Sequence, residues 1–207
     1  MIIAVDGPTA SGKGTIAKAL AAHYGLPHLD TGLLYRAVGY QVRANGGDAN
    51  NPDDALAATL FPETLLENPE LRSESMGGLA SRVSAHPAVR EALFDRQRAF
   101  ATQAGGAVLD GRDIGTVIAP EADVKLFVTA SVDARAQRRF NEMQGRGENV
   151  TLETIAEDLR RRDERDSTRA AAPLIPAPDA FLIDTSSLGR DEAIAAAIAA
   201  IAEITAS

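Results

Sequence analysis

The first twenty residues constrain the fold more than any other stretch of the chain. The apolar, branched run Met1–Val5 predicts a buried strand, and a helical pattern runs from Lys13 to about Tyr24. Between them, Gly7–Lys13 has the spacing of a phosphate-binding loop, with Gly, four residues and then Gly-Lys. Glycines let consecutive N–H groups point at one anion, the helix adds unpaired amides, and Lys13 adds a positive charge. The alternative is a glycine-rich hairpin without a ligand, which the agreement of strand, spacing, lysine and helix disfavours.

The residue after Lys13 narrows this interpretation. Most loops of this type place Ser or Thr directly after the lysine to hold magnesium, whereas here Gly14 intervenes and Thr15 comes next. This ending is similar to that of the nucleoside monophosphate kinases rather than that of the signalling GTPases.

Strand-like and helical runs alternate along the rest of the chain. The strand-like runs lie at 2–6, 26–30, 106–110, 124–130 and 180–184. This alternation predicts an α/β fold, a five-stranded parallel sheet flanked by helices on both faces. Ligands bind at the carboxyl edge of such sheets, where four of the predicted strands end in Asp6, Asp30, Asp110 and Asp184. The alternative role for each of these carboxylates is to cap the next helix.

At 207 residues the chain suits a single domain, 1–207. The similarity of the loop to that of the nucleoside monophosphate kinases implies a core of three segments, an insertion that binds the phosphate acceptor, and a lid. The expected bounds are 1–36, 105–140 and 170–207 for the core, about 37–104 for the insertion and about 141–169 for the lid.

The expected insertion changes character over residues 45–78, which are rich in Pro, Gly and Asn. They predict turns and one short helix near 53–60, followed by a helix over 79–104 that Pro87 interrupts. Further on, a helix over 133–144 leads to a flexible tip, where a lid would hinge near Gly145 and Gly147. The final helix, from Leu188, is amphipathic and is assigned no chemistry.

Composition excludes several classes of function. The net charge of −8 argues against a nucleic-acid surface, and no apolar run approaches the roughly 20 residues that span a bilayer. The absence of cysteine and of a signal-peptide pattern favours the cytoplasm. Only three of the 21 basic residues are lysines, so arginines predominate. A codon bias and a need to grip phosphates bidentately both explain this and do not exclude each other, so only the positions of the arginines can separate the two.

Three groups of polar residues lie where a ligand is expected. Arg36 is within two turns of the helix start that follows the second strand, and Asp110–Thr116 places two carboxylates and an arginine around a glycine. In the charged helix 151–169, Arg162, Asp166 and Arg169 fall on one face. The alternative for that helix is a solvated surface with ion pairs between successive turns.

Five segments in order carry a resemblance to the bacterial cytidylate kinase family, over nearly the whole chain. They are Ile3–Pro8 with Gly12–Thr15; Asp30–Gly32 with Tyr35 and Arg36; Ala80–Ser84 with Pro87, Val89 and Arg90; Asp110–Val117; and Arg162–Asp166 with Arg169, Ala170 and Ala172–Leu174. Two features depart from the family pattern. Thr31 stands where Ser is usual, and the family's insertion commonly contains a small β-sheet, which residues 45–78 are too short to complete.

The resemblance implies transfer of the γ-phosphoryl group of ATP to CMP or dCMP, with Mg²⁺ bound together with ATP. The implied ATP-binding residues are Gly7, Pro8, Thr9, Ala10, Ser11, Gly12, Lys13, Gly14 and Thr15. The implied acceptor phosphate ligands are Arg36, Arg112 and Arg169; the cytosine contacts are Ser81, Arg90 and Asp113; the ribose contact is Asp166, supported by Arg162; and Thr31 and Tyr35 complete the substrate site. Lys13, Arg112, Arg162, Arg165 and Arg169 are the implied catalytic residues, with Arg138, Arg139 and Arg146 as further candidates in the lid. No side chain is assigned as a metal ligand.

Partners are expected to be the small-molecule substrates ATP and CMP or dCMP, with no nucleic acid and no membrane, and the protein is expected to be a monomer. Rival acceptors are UMP, AMP and shikimate. A GTP-dependent switch protein is a rival of another class, but none of the three lysines has Asp two positions on, as a guanine motif requires.

Overall fold

A computed structural model describes residues 1–206, in which five strands form one parallel sheet. The strands are β1 (Ile2–Asp6), β2 (His28–Asp30), β3 (Ala107–Gly111), β4 (Val124–Thr129) and β5 (Phe181–Asp184). Their order is β2-β3-β1-β4-β5, so β1 lies at the centre, and each neighbouring pair is parallel. The predicted α/β fold with a five-stranded parallel sheet is therefore confirmed, and all five strands overlap the predicted runs.

The described part of the chain contains eight α-helices. They are α1 (Lys13–Tyr24), α2 (Thr31–Ala44), α3 (Pro52–Ala57), α4 (Glu74–Val83), α5 (Pro87–Ala101), α6 (Val132–Gly145), α7 (Leu152–Thr168) and α8 (Arg190–Ala206). Within residues 1–206, no helix combines the length and the apolar character needed to cross a membrane.

The two faces of β1 belong to different parts of the core. Ile3 and Val5 are fully buried against α1 and α8, whereas Ala4 faces the opposite layer of α5 and the turn Ile114–Ile118. Because every residue of β1 after Ile2 is buried, its continuous apolar run is the pattern of a central parallel strand. The strand therefore delivers its carboxyl end, and the loop that follows, to a rigid position.

Residues 45–78 contain no strand in the described structure. They form α3, two short 3-10 helices (Glu63–Glu67 and Pro69–Arg72) and the first turn of α4. The predicted turn at Gly77 and Gly78 is wrong, because both residues lie inside α4. Ser73 caps this helix by accepting a hydrogen bond from the Met76 amide, so the helix begins five residues before the predicted start.

Helices α6 and α7 form a hairpin with a small apolar core of its own. Ala136 and Met143 of α6 pack against Ile155 and Leu159 of α7. This cluster is separate from those that pack against the sheet. The hairpin is therefore held together internally, and its attachment to the rest of the molecule depends on polar contacts described below.

Candidate active site

The loop between β1 and α1 has the conformation that its spacing predicts. Gly7 has a φ of 154°, and a Cβ built there would lie 2.0 Å from the carbonyl oxygen of Val128 on the neighbouring strand. Ala10 and Gly12 both have positive φ, and Gly12 is the N-cap of α1 without a side-chain cap. Because no side chain of the described residues 1–206 forms a cap hydrogen bond at that helix end, its amides are available to an anion.

Side chains from α6 and from the end of β5 brace this loop from behind. Arg135 Nη1 donates to the carbonyl of Thr9 at 3.2 Å, and Arg138 Nη1 donates to that of Ser11 at 3.4 Å. Thr185 Oγ1 donates to the Ser11 carbonyl at 2.8 Å. The Ser11 hydroxyl itself is buried and has no hydrogen-bond partner among the described residues. A buried hydroxyl without a partner inside this loop fits a bound phosphate oxygen.

Lys13 lies at the start of α1, with its ammonium group turned back across the loop. Its Nζ donates to the carbonyl of Pro8 at 3.3 Å. Burial, reinforced by the charge of Arg112, lowers the pKa of Lys13 to about 8, although Asp110 and other carboxylates oppose the shift. A phosphate placed here would supply the missing counter-charge, so the arrangement favours an anionic ligand.

Asp6 ends β1 and fixes the neighbouring loop rather than facing a ligand. Its two carboxylate oxygens accept hydrogen bonds from the amides of Ile114 and Gly115, at 2.9 and 2.8 Å. Burial raises the pKa of Asp6 to about 6, and these two amides limit the rise. Asp6 thereby ties the end of the central strand to the segment that carries Asp113.

Asp110 is the next-to-last residue of β3 and lies beside the phosphate loop. His28 Nε2 lies 2.7 Å from one of its carboxylate oxygens. A Cβ built at Gly14 would lie 3.5 Å from the other oxygen. This second oxygen therefore lies beside the loop at Gly14. By contrast, Asp30 accepts a hydrogen bond from the Leu33 amide and caps α2, as the alternative interpretation of the strand-end carboxylates proposed.

All ten residues predicted to bind the acceptor substrate line one cavity. They are Thr31, Tyr35, Arg36, Ser81, Arg90, Arg112, Asp113, Arg162, Asp166 and Arg169. They come from α2, α4, α5, α7, the segment after β3 and the segment after α7, and the cavity also reaches Thr9 of the phosphate loop. One cavity therefore collects side chains that are up to 160 positions apart, from Thr9 to Arg169.

Arg112 connects the phosphate loop to this cavity. Its Nη2 donates to Thr9 Oγ1 at 2.6 Å, and its Nε donates to Asp166 Oδ2 at 2.9 Å. Thr31 was predicted to bind the substrate, but its hydroxyl proton is already used, because the hydroxyl donates to the backbone carbonyl of Asp110 at 2.8 Å. Arg112 is thus the side chain that lies between the two predicted phosphate sites.

Arg36 and Arg162 meet over Gly77 of α4. A Cβ at Gly77 would lie 2.9 Å from Arg162 Nη1 and 3.1 Å from Arg36 Nη2, so the lack of a side chain there lets both guanidinium groups lie close to α4. Arg36 Nη1 donates to the carbonyls of Leu71 and Ser73, both at 2.8 Å. Burial, together with the charges of the surrounding arginines, lowers the pKa of Arg36 to about 10. This close set of cations is another place that favours an anion.

The far end of the cavity holds a buried ion pair between Arg90 and Asp113. The Arg90 guanidinium also lies over the Tyr35 ring, 5.4 Å from its centroid. Burial raises the pKa of the Tyr35 hydroxyl, although the Arg90 charge opposes the shift. Arg169 Nη2 lies 4.0 Å from the second oxygen of Asp113. The predicted base-contacting residues are therefore placed together, with their charges balanced within the protein.

Ser81 lies between two residues of α7. Its hydroxyl accepts a hydrogen bond from Arg165 Nη1 at 2.7 Å and donates to Asp166 Oδ1 at 3.5 Å. Arg165 touches the cavity only through Ser81 and is not part of its wall. Arg162 and Asp166 are both buried in α7, so the solvated alternative is wrong for these two residues.

Several residues in and around the site were not predicted to act there. Ser84 accepts a long hydrogen bond from Arg169 Nη1, at 3.5 Å, and the Ala172 carbonyl accepts one from Arg169 Nε at 2.7 Å. Ala172 has a φ of 50°, which a sequence pattern does not reveal. Arg139 was a further candidate, and it forms an ion pair with Glu74, to which no role was assigned.

A second cavity adjoins the phosphate loop on the side of α8. It is lined by Ser11, Gly12, Thr15, Ile16, Arg138, Thr185, Leu188, Gly189, Arg190 and Ala193. The residues from Leu188 onward had been assigned no chemistry. Helical periodicity could not have indicated this placement, because the cavity forms only where β5 returns beside β4.

Comparison with known proteins gives a consistent result. A family model for cytidylate kinase matches residues 3–203. The cytidylate kinase of Xanthobacter autotrophicus is 58% identical over 201 residues, covering 97% of each chain. That of a Caulobacter species is 56% identical over 200 residues, covering 95% of this chain and 91% of the relative. An uncharacterized protein from Eubacterium ventriosum has a similar fold, with a TM-score of 0.54 at 16% identity, covering 100% of this chain and 99% of the other. The chain belongs to the cytidylate kinase family.

Proposed function

We propose that this protein catalyses the ATP-dependent phosphorylation of CMP and dCMP to CDP and dCDP, as its family membership supports. The single observation that carries the proposal is the position of Arg112. Its guanidinium spans from Thr9 of the phosphate loop to Asp166 of the arginine-rich cavity. A donor phosphate in the loop and an acceptor phosphate in the cavity would therefore meet across one cation.

Phosphoryl transfer needs little covalent chemistry from the protein. The acceptor phosphate is itself the nucleophile, and the charge that develops on the transferring oxygens has to be stabilised in place. Lys13 and the loop amides hold the donor, while Arg36, Arg112 and Arg169 hold the acceptor. Arg162 lines the same cavity, and Arg165 is held next to it by Ser81. These five arginines and Lys13 are the proposed electrostatic catalysts.

The base end of the cavity fits cytosine better than uracil. Cytosine presents an amine donor beside a ring-nitrogen acceptor, and uracil presents the opposite pair. Asp113 can accept from the amine, and Arg90 and Ser81 can donate to the acceptor atoms. We assign the ribose to Asp166, which already contacts both Ser81 and Arg112.

The cavity beside the phosphate loop is the proposed site of the donor's adenosine. It begins at Gly12 and Thr15, so a nucleoside there would be joined directly to phosphates in the loop. Arg138 offers a planar guanidinium and Leu188 an apolar surface for the base. Thr185 already holds Arg138 Nη1 at 3.0 Å, which fixes that guanidinium in place.

Magnesium would enter with ATP. The residues described here include no cluster of three or more His, Cys, Asp or Glu side chains that could hold a metal ion. Mg²⁺ in nucleotide sites needs only one or two carboxylates besides the phosphates. Asp110 meets that need, because one of its oxygens faces the loop beside Gly14. When bound, the ion would offset the charge on the donor phosphates, and Asp110 would hold it through this oxygen.

The proposed lid comprises residues of about 141–169, which are the end of α6 and all of α7, and the proposed acceptor-binding insertion comprises residues of about 37–104. The separate core of the hairpin and its arginine contacts to both phosphate sites support this division. A lid would exclude water that otherwise hydrolyses ATP when the acceptor is absent. A monomeric state and a cytoplasmic location stay predictions.

The proposed function is tested by steady-state assays with CMP, dCMP, UMP, AMP and shikimate as acceptors. Because the wrong base leaves buried polar groups unpaired, CMP should exceed UMP in kcat/KM by roughly ten- to several-hundredfold. Asp113→Asn offers both a donor and an acceptor, so this preference should shrink, mainly through loss of CMP activity. Ser81→Ala keeps the Arg90–Asp113 pair intact and is the matched, milder variant. Equal activity on UMP and CMP in the unmodified protein would contradict the proposal.

A further inference from the structure

Glu74, the first residue of α4, links three helices through its carboxylate. One oxygen pairs with Arg162 of α7 and the other with Arg139 of α6. Arg162 is 94% buried as a side chain, and its Nε also lies 2.7 Å from Asp158. Glu74 is therefore the carboxylate through which α4 holds one guanidinium from each helix of the hairpin.

The two arginines held by Glu74 belong to the same cluster of cations as the acceptor cavity. Arg162 lines that cavity, and its other terminal nitrogen approaches Gly77 alongside Arg36. Burial lowers the pKa of Arg139 and of Arg162, and the two charges also repel each other. Without an anion between them, these guanidinium groups would be expected to separate, and the hairpin would lose its main polar attachment to α4.

We propose that Glu74 is a positioning residue that occupies the place of a phosphate between Arg139 and Arg162 until nucleotide phosphates arrive. Its carboxylate keeps both guanidinium groups close to the transfer site and neutralises part of their charge. Incoming phosphates displace Glu74 and take over the arginines. This inference rests on the proposed function only in that the cluster receives nucleotide phosphates.

If Glu74 is a counter-ion that phosphates displace, we expect a result that differs from the one expected for a purely structural ion pair. If Glu74 competes with phosphates, its removal should strengthen the binding of polyphosphate and at the same time slow turnover. If Glu74 only held the helices together, its removal would weaken binding, because the arginines would no longer be collected at the site. The sign of the change in affinity therefore separates the two roles.

The test compares Glu74→Gln and Glu74→Asp with the unmodified protein. Calorimetry with inorganic tripolyphosphate should show about tenfold tighter binding for Glu74→Gln, the effect of one competing charged hydrogen bond. In kinetics with CMP, the KM for ATP and kcat should both fall. Glu74→Asp keeps the charge and should stay close to the unmodified protein. Glu70→Gln is the matched control, because Glu70 pairs with Arg43 on the exposed side of the same segment.

Two results would overturn the inference. The first is tripolyphosphate binding to a folded Glu74→Gln protein that is no tighter than binding to the unmodified protein. The second comes from Arg139→Gln, the variant to use if Glu74→Gln does not fold. If Arg139→Gln binds tripolyphosphate with unchanged affinity, Arg139 never receives a phosphate. Failure of the proposed function would look different, since the unmodified protein would then fail to phosphorylate CMP whatever the polyphosphate affinities.

Discussion

The donor loop and the arginine cluster both prepare a place for phosphate, but they are built from different parts of the chain. The donor loop is contiguous backbone, fixed at one end by the fully buried strand β1 and at the other by α1. The cluster consists of side chains from α2, α6, α7 and the segment after β3, balanced by the carboxylates of Glu74, Asp158 and Asp166. A phosphate finds the first site ready, whereas it has to replace existing ion pairs in the second.

This difference indicates which parts of the molecule can move. The loop cannot shift without disturbing the sheet, because Gly7 lies against β4 with no room for a Cβ. The hairpin of α6 and α7 has its own core, so exchange of its ion pairs can release it without unfolding it. The donor side should therefore be rigid, and the acceptor side should close around its substrate.

Lys13→Ala, a substitution in the donor loop, is expected to have the largest effect on activity. Removing the charge that faces the donor phosphates should lower kcat/KM by about two to three orders of magnitude or more, the size of such electrostatic effects. The fold should survive, because burial disfavours the charged ammonium in the free protein. Lys18→Ala, on the exposed side of the same helix, is the control and should leave kcat/KM unchanged. A folded Lys13→Ala protein that keeps more than about a tenth of the activity would refute the assignment.

A pair of glycine substitutions contrasts the rigidity of the two regions. Gly7→Ala should lower the free energy of unfolding by more than about 2 kcal/mol, because its Cβ would overlap the Val128 carbonyl. Gly145→Ala, at the end of α6, meets no atom within 4 Å and should change stability by about 0.5 kcal/mol or less, in the stabilising direction. Urea unfolding of both variants measures this contrast. Equal losses in the two variants would contradict it.

The pH dependence of ATP binding isolates Lys13. Its pKa in the free protein is about 8, lowered from 10.5, so the charged form is lost as pH rises through 8. Bound phosphates favour the charged form and raise that pKa again, so affinity should fall up to about tenfold per pH unit above 8. Lys13→Arg keeps its charge throughout this range and should bind with little dependence on pH. Calorimetry from pH 6.5 to 9.5 would reveal the difference, and parallel profiles for the two proteins would count against it.

The smallest expected effect concerns closure of the hairpin. Amide exchange in residues 140–165 should slow several-fold when both nucleotides are bound, because closure suppresses the local opening motions that expose these amides. Exchange in α1, which is fixed by the core, should change little beyond its first turn. Exchange that remains equally fast in 140–165 with and without both nucleotides would argue against a lid.

Much of this architecture could be predicted from local signals. The continuous burial of β1 follows from its apolar run, and the loop conformation follows from glycines at set distances from Lys13. β3, β4 and β5 also carried apolar runs long enough to recognise, whereas β2 is three residues long and its one apolar residue is Leu29. The start of α4 could not be predicted in the same way, because Gly77 and Gly78 favour a turn locally. In the folded protein both lie inside α4, which begins at the Ser73 cap, and two guanidinium groups pack beside Gly77.

Residue patterns along the chain therefore predicted the sheet and the phosphate loop. The family resemblance predicted the set of residues that surround the acceptor cavity. Only the tertiary structure decided which partners those residues have: Arg112 with Thr9 and Asp166, Arg90 with Asp113, and Glu74 between two helices of the hairpin. The difference arises from how far apart along the chain the interacting residues lie. Strands and loops obey short spacings along the chain, whereas these ion pairs and hydrogen bonds join residues 23 to 103 positions apart and form only once packing has brought their elements together.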